Sequence, residues 1–282
     1  MSQLPSDASP DGEMERQAGQ MSESNAIVDT YRWHRGLGHE QVALPCVRII
    51  VDTAHPDVWD ANHADAVSAT TEEEIDGVLN ALDRYLAHSN WRVVHTDPST
   101  PETFLARLAM DGFEEQPAVI QMALHGPVHT DAIVELHPVV SDEDWKTLGL
   151  LVLRDHEEGA RTGGMDLMPE VSEGIVAGYR RKAPQCPFFL ATHDGDAIAY
   201  GSCAVGPSGA GIIEDLFTVP SHRGRGVASA MIRAFAERLH DAGCSTVFLG
   251  ALATEPARHL YAKLGFRPVL LTRTWAKRVA RT

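Results

Sequence analysis

The stretch from Glu214 to Met231 constrains this chain more than any other. A β-branched and aromatic run, Leu216-Phe217-Thr218-Val219, stops at Pro220; a short polar turn carries Arg223-Gly224-Arg225-Gly226; an amphipathic segment opens at Val227-Ala228-Ser229. A helix that starts on such a turn leaves its first N–H groups without intrahelical acceptors, pointing at one spot. The helix dipole adds partial positive charge there, so the spot attracts phosphate. Arg223 and Arg225 add formal charge. The pattern predicts a seat for the diphosphate of a nucleotide-like cofactor. Two plainer readings are a ligand-free turn and an RGG-like RNA-binding fragment. The second is disfavoured by a single occurrence in a chain of net charge −15. Gly-Lys-Ser/Thr is absent, so this is no Walker loop.

Periodicity divides the 282 residues into a tail and two units. Residues 1–26, rich in Ser, Asp, Glu, Gln and Gly with no apolar run, read as a disordered tail and not a signal peptide. The first unit, 27–127, has a strand at 47–51 and a helix opened by a Thr71/Glu74 capping box, with Ile75, Val78, Leu79, Leu82 and Leu86 as its stripe. A strand at 91–95, a helix at 101–110 ended by Gly112, and a strand at 113–124 complete it. Gly126-Pro127 marks the boundary. The second unit, 131–282, begins with a strand at 132–137 and a helix capped by Ser141. A mobile loop at 158–168, a helix at 169–181 and a hairpin turning at Asp194-Gly195-Asp196 come next. Then follow strand 211–219, helix 224–241, strand 246–250, helix 255–264 and strand 266–275. The order strand, long helix, strand, short helix, strand occurs in both units, and both short helices end at Gly-Phe (112–113 and 265–266), which suggests a degenerate duplication.

Residues 131–282 resemble the GNAT superfamily of acetyl-CoA-dependent N-acetyltransferases. The family signature Arg/Gln-x-x-Gly-x-Gly/Ala is matched by Arg223-Gly224-Arg225-Gly226-Val227-Ala228. Downstream, Thr254-Glu255-Pro256-Ala257-Arg258-His259-Leu260-Tyr261-Ala262-Lys263-Leu264-Gly265-Phe266 fits the second family landmark except that Thr254 replaces Asn. The resemblance implies an α/β (α+β) chain of tandem GNAT-like folds, each a twisted mixed sheet flanked by helices, an arrangement similar to that of the mycothiol synthases. It implies acetyl transfer from acetyl-CoA to a primary amine by direct attack in a ternary complex. Cofactor contacts would come from Phe217, Thr218, Val219, Arg223, Gly224, Arg225, Gly226, Val227, Ala228 and Ser229, with a backbone N–H facing the thioester oxygen. Gly224 and Gly226 would let the phosphate approach. The motif positions Tyr261 to protonate the departing sulfur. For the base, Glu214 and Asp215 are the candidates; strand alternation sends them to opposite faces, so one at most meets the acceptor, and Glu214 is favoured. A water chain is the alternative.

The first unit differs. Its matching helix opens on Glu72-Glu73-Glu74, which would repel a diphosphate, and Ala106 stands where Tyr261 has its counterpart. One acetyl-CoA per chain is expected, in the second unit. The acidic charge disfavours nucleic acid and anionic membranes, and no apolar run is long enough to span a bilayer. Four scattered cysteines suit a reducing compartment, so a cytoplasmic location is expected. Fourteen histidines show no ligand spacing, so no metal is expected. A small-molecule amine is the favoured acceptor. A non-catalytic acyl-CoA-binding module and a protein amine as acceptor are the alternatives.

Overall fold

A computed structural model describes residues 10–161 and 168–279. Helix α1 (Pro10–Gly36) corrects the expected tail from residue 10 onward; residues 1–9 lie outside the described part. Its mean hydropathy is low, and what holds it is tertiary. Ile27, Val28 and Tyr31 bury themselves with Ala204, Ile212 and Phe248 of the C-terminal half. Composition sees only the polar majority of the segment, whereas burial needs one apolar stripe.

The N-terminal half continues with β1 (Glu40–Leu44), β2 (Val47–Val51), a 3-10 turn at Trp59–Ala61 and β3 (His63–Asp65), all three strands antiparallel. Helix α2 (Glu72–Tyr85) starts at the capping box and buries Ile75, Val78 and Leu82. Strand β4 (Trp91–Thr96) pairs parallel to β3, and α3 (Glu102–Met110) follows. The strand expected over 113–124 is instead two, β5 (Glu114–Glu115) and β6 (Val119–Leu124), separated around Pro117, which has no N–H for a ladder.

The C-terminal half repeats the scheme. Strand β7 (Glu135–Pro138) leads to α4 (Asp142–Arg161), opened by reciprocal bonds between Ser141 and Asp144. Helix α4 extends to Arg161, beyond the start of the expected loop at 158; residues 162–167 lie outside the described part. Next come α5 (Pro169–Lys182), β8 (Phe188–His193), β9 (Asp196–Val205) and β10 (Ala210–Thr218). A 3-10 turn (Pro220–His222), α6 (Val227–Asp241), β11 (Thr246–Leu252), α7 (Ala257–Lys263) and β12 (Phe266–Arg278) complete it.

The strands run in the order β1-β2-β3-β4-β12-β6-β11-β10-β9-β8-β7, with β5 beside β12. The halves therefore exchange strands. From the N-terminal half, β6 inserts between β11 and β12. In return, β12 pairs with β6 over Phe266–Thr272 and then with β4 over Arg273–Arg278. Backbone pairing thus crosses the boundary at 126–130. One face of the C-terminal sheet carries α6, whose Phe235, Met231 and Leu239 fill the space left by Gly201 and Gly211. Helices α1, α4 and α5 cover the opposite face, where Tyr200 and Ser202 point.

Candidate active site

Strand β10 pairs parallel with β11 only from Ala210 to Ile213, and beyond that point the two strands part. At the same place its antiparallel register with β9 breaks between Glu214 and Phe217. Asp215 sits there in a left-handed conformation, φ 57°. This is a β-bulge, and the extra residue cancels strand alternation. Glu214 and Asp215 consequently line the same cavity, which corrects the expectation that they face opposite ways.

Past the bulge, the Val219 N–H donates to the Ile198 carbonyl at 2.9 Å, and Phe217 lies opposite Tyr200. Alternation turns the amide of Thr218 to the other edge, the one β11 has left. Of the three residues expected along a pantetheine arm, Thr218 is the one with its backbone on that edge; Phe217 and Val219 bond inward to β9.

Gly226 caps α6 at φ 81°, with no side-chain cap. The first i to i−4 bond of the helix is from Ala230 N–H to Gly226 O, 2.9 Å, so the N–H groups of Val227, Ala228 and Ser229 have no acceptor within the helix. A Cβ on Gly226 would stand 2.6 Å from the Ala132 Cβ, while a Cβ on Gly224, φ 72°, would meet no other side chain or backbone within 4 Å beyond its chain neighbours. Arg225 is exposed. Arg223 is not a free charge: its guanidinium grips both carboxylate oxygens of Glu158, donates to Thr218 O at 2.8 Å and lies over the Phe217 ring. It braces the turn against α4.

The cavity lies between the two halves. Its C-terminal wall is Tyr179 and Lys182 of α5 with Glu214 and Asp215; its N-terminal wall includes His34 and Arg35 of α1 and Asp60 of the first 3-10 turn. Burial and then the neighbouring Asp215 push the Glu214 carboxyl up to about 7, against the pull of Arg35 and Lys182. Asp215 accepts from the Tyr179 hydroxyl at 2.7 Å and the Ser202 hydroxyl at 3.2 Å, and pairs with Lys182 Nζ at 3.5 Å. The Asp60 side chain is 70% exposed and pairs with Arg35. Desolvation by the neighbouring protein opposes its ionisation, but the Arg35 guanidinium more than offsets this and holds its carboxyl below the usual range. Tyr261, on α7, is buried with its ring 6.3 Å from that of Phe266. Burial, then the charges of Glu214 and Glu255, push its phenol up to about 12.

Arg35, Asp60, Tyr179 and Lys182 have no signature in the sequence. Only the i, i+3 spacing of Tyr179 and Lys182, which places both on one helix face, offered a hint. Asp155 is a further omission: half-buried beside Tyr200, whose hydroxyl donates to it at 3.1 Å, its carboxyl is pushed up to about 6 by desolvation.

The sequence profile of the Acetyltransferase (GNAT) family matches residues 150–266. This segment is a GNAT-family acetyltransferase domain. It contains the bulge, the glycine turn and Tyr261, whereas Arg35 and Asp60 lie outside it. No curated protein sequence matches the chain. Among solved structures, a GCN5-related N-acetyltransferase from Kribbella flavida is similar at 15% identity and TM-score 0.63, over 92% of this chain and 95% of that one. A functionally unknown conserved protein from Staphylococcus epidermidis ATCC 12228 aligns at 13% identity and TM-score 0.63, over 86% and 95%. A tandem GNAT protein from the clavulanic acid biosynthesis pathway aligns at 17% identity and TM-score 0.56, over 84% and 79%. What is shared at these identities is the fold, a tandem GNAT arrangement of twisted mixed sheet and flanking helices.

Among the described residues, no group of three or more His, Cys, Asp or Glu could hold a metal, the four cysteines are free, and no helix is long and apolar enough to cross a membrane.

Proposed function

We propose that the chain moves an acetyl group from acetyl-CoA to a primary amine on a small acceptor, by direct attack with both molecules bound. Acetyl-CoA supplies the activated thioester. The observation that carries this reading is the parting of β10 from β11 beside the uncapped start of α6, with Glu214 turned into the adjoining cavity.

The residues divide the work. The N–H groups of Arg225, Val227, Ala228 and Ser229, with Gly226 left-handed between them, hold a diphosphate at the positive end of α6. The Thr218 N–H, on the edge that β11 has left, receives the pantetheine arm. Glu214 takes the proton of the attacking amine. A carboxyl that titrates near neutrality is suited to this, since a base works best when its proton affinity matches the working pH. Tyr261, protonated throughout the neutral range, donates to the departing sulfur.

The cavity favours a small acceptor. Its far wall is the N-terminal half, where Arg35 and Asp60 pair, and a cleft walled on two sides suits a small molecule better than a lysine on a folded protein. Three carboxyls against two fixed cations suit a cationic amine.

The test is release of free CoA from purified protein supplied with acetyl-CoA and a panel of amines. Turnover is expected, falling about 100-fold in Glu214→Gln. Tight acetyl-CoA binding with no turnover on any amine or peptide would instead make the chain a binding module.

A further inference from the structure

Asp215 occupies the left-handed region, which Asp and Asn tolerate better than other residues with a Cβ. A left-handed φ of 57° is unfavourable for any residue with a Cβ, and persists only when the surroundings impose it. The surroundings here are side chains from two elements packed on β10. Tyr179 and Lys182 reach it from α5, at 2.7 and 3.5 Å. Ser202, on β9 directly opposite Glu214, lies within 3.2 Å of the Asp215 carboxylate and 3.3 Å of the Glu214 carbonyl. The clamp is buried: Ser202 is fully enclosed, and the Lys182 and Asp215 side chains are 12% and 16% exposed.

We propose that Asp215 is a positioning residue of this site, its clamped carboxylate fixing the kink in β10 that turns Glu214 into the cavity and separates β10 from β11. The inference rests on the acetyl-transfer reading for what Glu214 does, and on geometry alone for how Glu214 is held. A second consequence is electrostatic. Glu214 feels Tyr31 and Arg35 from α1, Asp60 from the 3-10 turn, Lys182 and Cys186 from α5 and beyond it, and Tyr261 from α7. Asp215 is its adjacent anion and Lys182 its neighbouring cation, so the two ends of the clamp bias its ionisation in opposite directions.

The experiment compares pH profiles of kcat/KM for the wild type, Asp215→Asn and Lys182→Met. Removing the anion should move the acidic limb down by about one pH unit, and removing the cation should move it up by a similar amount. A residue that serves the fold alone would lower the rate at every pH with the limb unmoved, and that result overturns the proposal. Asp215→Gly, which tolerates the left-handed φ, should keep at least about ten times the kcat of Asp215→Val, which resists it; equal rates overturn the role of the kink. Should the wild type release no CoA with any amine, acetyl transfer fails by itself. The midpoint of Glu214, followed by carbon-13 NMR of its carboxyl, then decides: opposite displacements in the two variants sustain the proposal, and parallel or absent ones overturn it. Should Asp215→Asn not fold, Lys182→Met decides alone, an unraised midpoint being fatal.

Discussion

Thr71 and Glu74 exchange hydrogen bonds across the start of α2: the Glu74 N–H donates to Thr71 Oγ1 at 3.3 Å, and the Glu74 carboxylate accepts the Thr71 N–H at 3.0 Å. A further bond from the Thr70 N–H, 2.8 Å, completes the cap, and these backbone donors hold the carboxyl down to about 2. The equivalent position in the C-terminal half is the glycine-capped start of α6. One helix start is filled by a carboxylate and its counterpart has none, so calorimetry should count one acetyl-CoA per chain. A count of two would refute the assignment of the N-terminal half as empty of cofactor.

Gly226 and Gly224 should respond differently to substitution. Gly226→Val meets both a positive φ and the Ala132 Cβ, and should weaken acetyl-CoA binding by tenfold or more while lowering Tm. Gly224→Ala meets the φ penalty alone and should cost about 1 kcal/mol. Calorimetric titration and thermal melts separate the two; equal affinities for Gly226→Val and wild type would remove the diphosphate seat from this turn.

Catalytic activity should rise with pH through the neutral range. The base must be ionised to accept a proton, and burial with an adjacent anion shifts Glu214 upward, so the acidic limb of kcat/KM belongs near 7 rather than in the usual carboxylate range. In Glu214→Gln that limb should vanish with the activity. Tyr261→Phe should lower kcat about tenfold and leave the limb in place.

Asp155 carries a stability signature of opposite logic to an ion-paired carboxylate. Its pKa is raised in the folded protein, so between its unfolded value and about 6 the folded chain holds a proton the unfolded chain has lost. Stability from this group therefore falls as pH rises through that window. Asp155→Asn keeps an acceptor for the Tyr200 hydroxyl and removes the ionisation, so its Tm should exceed that of the wild type at pH 7.5 and the gain should disappear near pH 4. Thermal melts at both pH values check this.

The exchanged strands bear on where the chain can be divided. A chain of residues 131–282 lacks β6, leaving the edges of β11 and β12 unpaired, and unpaired edges associate. Such a chain should aggregate, and residues 10–127 supplied alongside should restore solubility. Independent folding of 131–282 as a monomer would return the boundary at 126–130 to a true domain border.

Local chemistry fixed much of this molecule in advance. Caps at Thr71 and Ser141, the stripe from Ile75 to Leu82, and the strand-turn-helix from Leu216 to Ser229 depend on residues a few positions apart, which is why they are legible in the chain itself. Three things were decided elsewhere. Helix α1 is held by a sheet more than 150 residues away, so its own composition misleads. The strand exchange of β6 and β12 depends on which edges meet, and edges carry no sequence mark. The bulge at Asp215 is imposed by Tyr179, Lys182 and Ser202, so the alternation rule, sound for a regular strand, assigned Glu214 and Asp215 to opposite faces where packing placed them together. The cavity that results draws its walls from both halves because burial unites groups that are distant along the chain.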